Sequence, residues 1–149
     1  REAVYIIVSM YGDENILEEL QQLHKIANMT EEKVRLLQSM GRSSNPKLIE
    51  KTLNYIFEGD NAEKQDLYMG VAGCAVNCVG RDIVWKYLKK NWIRLVECFG
   101  EKNHSLMKFV ELCLSDFADE NIANEIKLFF DSVNTPIVTR AVKQVVETI

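Results

Sequence analysis

The stretch Asp13–Phe57, DENILEELQQLHKIANMTEEKVRLLQSMGRSSNPKLIEKTLNYIF, carries three helix starts in forty-five residues. Asp13 precedes ENILEELQQLHKI, Thr30 precedes EEKVRLLQSM, and Asn45-Pro46 opens PKLIEKTLNYIF. The side-chain oxygens of Asp, Thr and Asn can accept an N–H from the first turn of a helix. Pro46 lacks only a donor that the first helical position does not use. Acidic residues follow Asp13 and Thr30, where the helix dipole favours them. Apolar residues recur at helical spacing. Ile16, Leu20, Leu23 and Ala27 predict one stripe, and Val34, Leu37 and Met40 a second. Leu48, Leu53 and Phe57 predict a third, with Ile49 and Ile56 beside them. Gly12 and Gly41 fall where these helices stop, and Gly59 and Gly100 fall at the next stops. All four are expected to act as left-handed caps.

Outward from this stretch the same signals repeat. Asp119 precedes ENIANEIKLFF, and Thr135-Pro136 matches Asn45-Pro46. Helix starts are predicted near residues 13, 30, 46, 64, 82, 103, 119 and 136, about every 16 to 21 residues. VYIIV and IVTRAVKQVV are rich in β-branched residues, yet their cap-bounded setting reads as helical. Helices joined by short turns predict antiparallel pairs stacked side by side. The expected fold is all-α, an irregular HEAT-like α-solenoid of antiparallel helix pairs with about eight to nine helices. The 149 residues suffice for one sizeable core. The chain opens on Arg1 rather than Met and closes on TRAVKQVVETI, so residues 1–149 are expected to be one domain cut at both ends from a larger one.

Charge and cysteine usage narrow the function classes. A net charge of -4 argues against a nucleic-acid surface, which needs a basic face. Lys86, Lys89 and Lys90 are expected on a solvated helix face. No apolar run approaches the roughly 20 residues that cross a bilayer. The four cysteines, Cys74, Cys78, Cys98 and Cys113, read as buried, reduced thiols, which favours a reducing compartment. Cys74 and Cys78, one helical turn apart, could not bridge without breaking that helix. The only histidines, His24 and His104, are too distant in sequence to suggest a zinc site. Asp13, Glu14, Glu18 and Glu19 read as a helix start with a solvated face. The sequons at Asn28 and Asn103 are short enough to arise by chance.

Gly80–Trp92, GRDIVWKYLKKNW, holds both tryptophans. On a helix beginning near Asp82, Trp85, Leu88, Trp92, Leu95 and Val96 would share one side, a core-facing stripe supplying large apolar burial. Gly80 fits a turn before that helix, Arg81 could pair with Asp66 or Asp82, and Asn91 could bridge helix ends.

The order Gln65-Asp66, Gly80-Arg81, Trp85, Asn91-Trp92, Phe117 and Phe129-Phe130 resembles the C-terminal helical domain of M1-family zinc aminopeptidases, from about Asp13 to Ile149. DFADENIANEIKLFFDS is most similar to the puromycin-sensitive branch. The resemblance implies a domain that packs over a catalytic domain of the same chain, closes an internal cavity and limits which peptides reach the zinc. It implies zinc in the parent enzyme and a peptide substrate. The family's HExxH and GxMEN motifs do not occur in this sequence. Lys25-Ile26-Ala27 follow His24, and Ser105-Leu106-Met107 follow His104. No catalytic residue, metal ligand or cofactor is therefore expected within these residues. Gln65, Asp66, Gly80, Arg81, Trp85, Asn91 and Trp92 are expected to set helix packing. Lys47 and Arg81 are the candidate cations for a peptide's terminal carboxylate. Solvent exposure for Lys47 and a structural bond for Arg81 are the competing readings. The branch resembled, with the reduced cysteines, implies a cytoplasmic protein.

Two other functions are compatible with the residues. A free-standing HEAT-like scaffold would bind a protein or peptide on its concave face. An enzyme built on Cys74 and Cys78 would need a neighbour that makes a thiolate, and the sequence offers none.

Overall fold

A computed structural model of the chain describes residues 2–58, 64–76, 78–99, 104–114, 120–133, 142–143 and 146–147. At Glu2, Lys64, Gln65, Tyr68, Cys78, His104, Ser105 and Leu112 it describes the backbone alone. The described residues form nine helices: α1 (Glu2–Tyr11), α2 (Glu14–Ile26), α3 (Thr30–Met40), α4 (Pro46–Phe57), α5 (Lys64–Cys74), α6 (Cys78–Lys90), α7 (Trp92–Phe99), α8 (His104–Leu114) and α9 (Glu120–Val133). The fold is all-α, and VYIIV lies within α1. The predicted start near residue 136 and most of IVTRAVKQVV lie outside the described residues, as do Gly59 and Gly100.

Local chemistry accounts for the first boundaries. Asp13 accepts the Ile16 N–H at 3.2 Å, and Asn45 accepts the Lys47 N–H at 3.0 Å with Pro46 in the first turn. Each satisfies a donor that the helix cannot satisfy itself. Asn45→Ala is expected to lower stability by about 1 kcal/mol, read as a shift in the urea midpoint. Thr30 is the first residue of α3 rather than its cap; Met29 holds the cap position without a side-chain bond.

The glycine stops have a different cause from the one predicted. Gly41 closes α3 with φ -78° and ψ -5°, a right-handed conformation open to any residue. A side chain there would instead meet the Cys74 backbone nitrogen at 2.4 Å. At Gly12 a Cβ would lie 2.3 Å from the Val8 carbonyl oxygen. Close approach selects both glycines, not a left-handed turn.

The chain divides into two compact units, Arg1–Tyr87 and Leu88–Ile149, with the division inside α6. In the first, α3 is central and packs on both α1 and α5. Its Leu36, Leu37 and Met40 are fully buried. The Tyr5 hydroxyl donates to Glu32, and the Ser9 hydroxyl donates to the Met40 carbonyl at 3.2 Å, so α1 runs parallel to α3. Thr52 of α4 donates to the same carbonyl at 3.3 Å. The exposed-by-geometry end of α3 is thus satisfied from two neighbouring helices. On the other side of the hairpin, Lys51 pairs with Glu14 and Tyr55 meets His24, which sets α4 parallel to α2. Successive helices are antiparallel while alternate helices lie side by side, the arrangement of stacked helix pairs.

The inward stripe of α2 is Leu17, Leu20 and His24; Ile16 is half-buried and Leu23 is exposed. The predicted stripe is therefore rotated by one position. The predicted stripe left His24 out, whereas a partner on α4 draws the imidazole into the core.

In the second unit Trp92 stands edge-on to Phe129 and Phe130, with ring centroids 6.0 and 5.1 Å away. Phe99 of α7 and Phe109 of α8 pack at 5.2 Å. Lys89 pairs with Glu125, whereas Lys86 and Lys90 are exposed as expected for a solvated face.

Candidate functional site

Both tryptophans are buried, but they do not share a helix. Helix α6 begins at Cys78, earlier than the expected start at Asp82, and ends at Lys90. Asn91 forms a turn, and its carbonyl accepts the Leu95 N–H at 2.9 Å as α7 begins at Trp92. Asn favours such a boundary because its side chain competes with the helix for backbone bonds. Gly80 is buried inside the opening turn of α6 rather than in a turn before it. Cys74 closes α5 and Cys78 opens α6, so these cysteines do not lie one turn apart on one helix.

The motif residues occupy the packed parts of the molecule. Asp66 is half-buried in the first turn of α5, Arg81 is half-buried on α6, and Asn91 is half-buried at the α6–α7 turn. Trp85 belongs to the core of the first unit and Trp92 to that of the second. The Gln65 side chain lies outside the described residues. Lys47 is exposed in the first turn of α4, and its ammonium makes no ion pair among the described residues. Lys47 and Arg81 thus have different settings, one in solvent and one against the packed face of α6.

Sequence reasoning missed a buried polar pair behind the groove between α2 and α4. His24 Nδ1 lies 2.7 Å from the Tyr55 hydroxyl, and that hydroxyl reaches the Gln21 carbonyl at 3.4 Å. Burial first, then the charges of Lys33 and Lys25, lowers the His24 pKa to about 4, so the imidazole is neutral at pH 7. Burial pushes the Tyr55 phenol up to about 12. The groove, about 280 Å³, is walled by Glu14, Glu18, Lys51, Asn54 and Glu58, with Tyr55 inside. Lys51 is committed to Glu14, so the excess charge is negative, a setting for cationic rather than anionic groups. A signal for the pair did exist: His24 falls one turn from buried Leu20 on α2, and Tyr55 two turns from buried Leu48 on α4.

No reacting group stands out among these residues. Burial pushes the Cys74 thiol up to about 12, far from a reactive thiolate. Among the described residues no three His, Cys, Asp or Glu side chains group to hold a metal ion. His24 does not fit zinc of the HExxH kind, since its Nδ1 is engaged by Tyr55 and the residue one turn on is Asn28. No helix of the described residues is long and apolar enough to cross a membrane.

Stacked helix pairs define a helical-repeat type of domain. The family model of the ERAP1-like C-terminal domain matches residues 1–149, and the chain belongs to that family. It is similar to aminopeptidase 2, mitochondrial, of Saccharomyces cerevisiae, 31% identical over 146 residues, which cover 98% of this chain and 15% of the yeast protein. Aminopeptidase M1 of Arabidopsis thaliana is 27% identical over 152 residues, covering 100% of this chain and 17% of the plant protein. Aminopeptidase 2 of Candida albicans is 26% identical over 130 residues, 87% of this chain and 14% of that protein. The chain thus spans about a sixth of the length of these relatives.

Proposed function

We propose that this chain is a non-catalytic part of the C-terminal domain of an M1 zinc aminopeptidase, cut from a larger helical domain, which closes the active-site cavity and shapes peptide access. The observation that carries the reading is the family match along residues 1–149, shared with relatives named as aminopeptidases. The burial of Trp85 and Trp92 supports a packing role for the matched motif. Zinc belongs to the parent enzyme's catalytic domain, which is the partner of this one, and the substrate is a peptide. Movement of a packed helical domain against that partner would gate entry and release without supplying a reacting group. Lys47 is the better placed of the two candidate cations for a peptide carboxylate, being exposed and without an ion pair among the described residues. Arg81, half-buried on α6, serves packing first. A cytoplasmic location is supported by the buried free thiol Cys74.

The test is hydrolysis of leucyl substrates. The purified 149-residue chain is expected to show none, and the longer polypeptide that contains it is expected to show activity lost with a chelator. Chelator-sensitive activity that stays with the 149-residue chain through repurification overturns the reading.

A further inference from the structure

The turn between α3 and α4 holds a buried serine whose hydrogen bonding is incomplete. Ser43 is 3% exposed, and its Oγ accepts the Asn45 N–H at 3.1 Å. That bond holds the backbone of the residue that caps α4. A hydroxyl also has a proton to donate. Among the described residues the Ser43 proton meets no acceptor. A buried donor left unmade costs the desolvation of that group, so native structures rarely keep one.

Ser43 lines a small cavity inside the first unit, about 10 Å³, together with Ser9 of α1 and Asp13 at the start of α2. Ser9 is 5% exposed and donates its proton to the Met40 carbonyl at 3.2 Å, which leaves its oxygen lone pairs to accept. Asp13 caps α2 through Oδ1, and a carboxylate has further lone pairs beyond that bond. The rest of the wall is apolar, with Leu17, Leu20 and Leu48 in it. A wholly apolar cavity would stay dry, but two buried hydroxyls and a carboxylate residue on one small space favour a polar occupant. The volume has room for one water and for no larger ligand.

We propose that this cavity is the site of one structural water, which accepts the Ser43 proton and donates to Ser9 Oγ and to an Asp13 carboxylate oxygen. A buried water usually makes about three hydrogen bonds. The occupant has to accept as well as donate, which excludes a metal ion or an ammonium group, since neither can take the Ser43 proton. The water joins α1, the cap of α2 and the turn that positions the cap of α4.

Two measurements on the 149-residue chain test the site. A crystal structure at about 1.5 Å is expected to show one water about 2.6–3.1 Å from both Ser43 Oγ and Ser9 Oγ. Density that leaves the cavity dry overturns the proposal. So does an atom ringed by oxygens at about 2.3–2.6 Å, the spacing of a metal ion. In solution, oxygen-17 relaxation dispersion counts the long-lived waters. The unsubstituted chain is expected to hold one more than Ser43→Ala and one more than Ser9→Ala. Ser9→Ala keeps the Ser43–Asn45 bond, so its loss of the water cannot be traced to a disturbed cap on α4. An unchanged count in either folded variant overturns the proposal. Should a variant fail to fold, the crystal structure of the unsubstituted chain decides.

Discussion

Gly73→Val is expected to cost about 3–5 kcal/mol and to bring the first unit close to unfolding. A Cβ at Gly73 would lie 2.1 Å from the Gln38 carbonyl oxygen and 2.9 Å from its carbonyl carbon. The obstacle is the α3 backbone, which cannot turn aside as a side chain can. Helix propensity offers little against this, since Gly73 is the last residue but one of α5, and the clash outweighs it. Relief would require α3 and α5 to separate where Leu36, Leu37, Met40, Val71 and Cys74 are all fully buried. Gly70→Ala is the internal control. Its Cβ would meet only the Ile56 side chain, most closely its far end Cδ1 at 2.7 Å and then Cγ1 at 3.2 Å, so the change is expected to lie within about 1 kcal/mol of neutral. Urea midpoints followed by circular dichroism separate the two, and equal midpoints for Gly73→Val and the parent protein would refute the close-approach account.

That glycine also shows where the sequence was readable and where it was not. Asp13 and Asn45 were legible as caps because a cap is settled within three residues of chain. The HEAT-like all-α fold followed from those caps and their spacing. Gly41 and Gly73 were not legible, because what excludes a side chain at each is a backbone more than thirty residues away. The break at Asn91 was hidden by the seven-residue spacing of Trp85 and Trp92, which mimics one continuous helix. The resemblance carried by Gly80-Arg81, Trp85 and Asn91-Trp92 gave the family, since order and spacing survive even where the helix boundaries were misplaced. The His24–Tyr55 pair escaped because the polarity of a lone histidine says nothing of a partner on another helix.

The second large effect concerns that pair and follows from proton linkage. The folded-state pKa of His24 is about 4, against an ordinary value of 6.5. Above pH 6.5 the imidazole is neutral in both states and the folded protein keeps its full stability. As the pH falls from 6.5 towards 4 the unfolded chain takes up the proton first, and stability drops by about 1.4 kcal/mol per pH unit at most. The loss levels off below pH 4 at a total of about 3 kcal/mol, once the folded protein binds the proton as well. Burial sets the direction, and Lys33 and Lys25 on α3 and α2 add to it by repelling a third positive charge. Carboxylates titrate near the acid end of the same window, so the measurement is a comparison of urea midpoints at pH 7, 5.5 and 4 for the parent protein and His24→Gln. The glutamine variant is expected to be less stable at pH 7, because Tyr55 loses its partner at 2.7 Å, and to depend less steeply on pH between 6.5 and 4. Parallel pH curves for the two proteins would show that His24 takes up its proton in the folded state as readily as in the unfolded chain, and that α2 and α4 do not bury it.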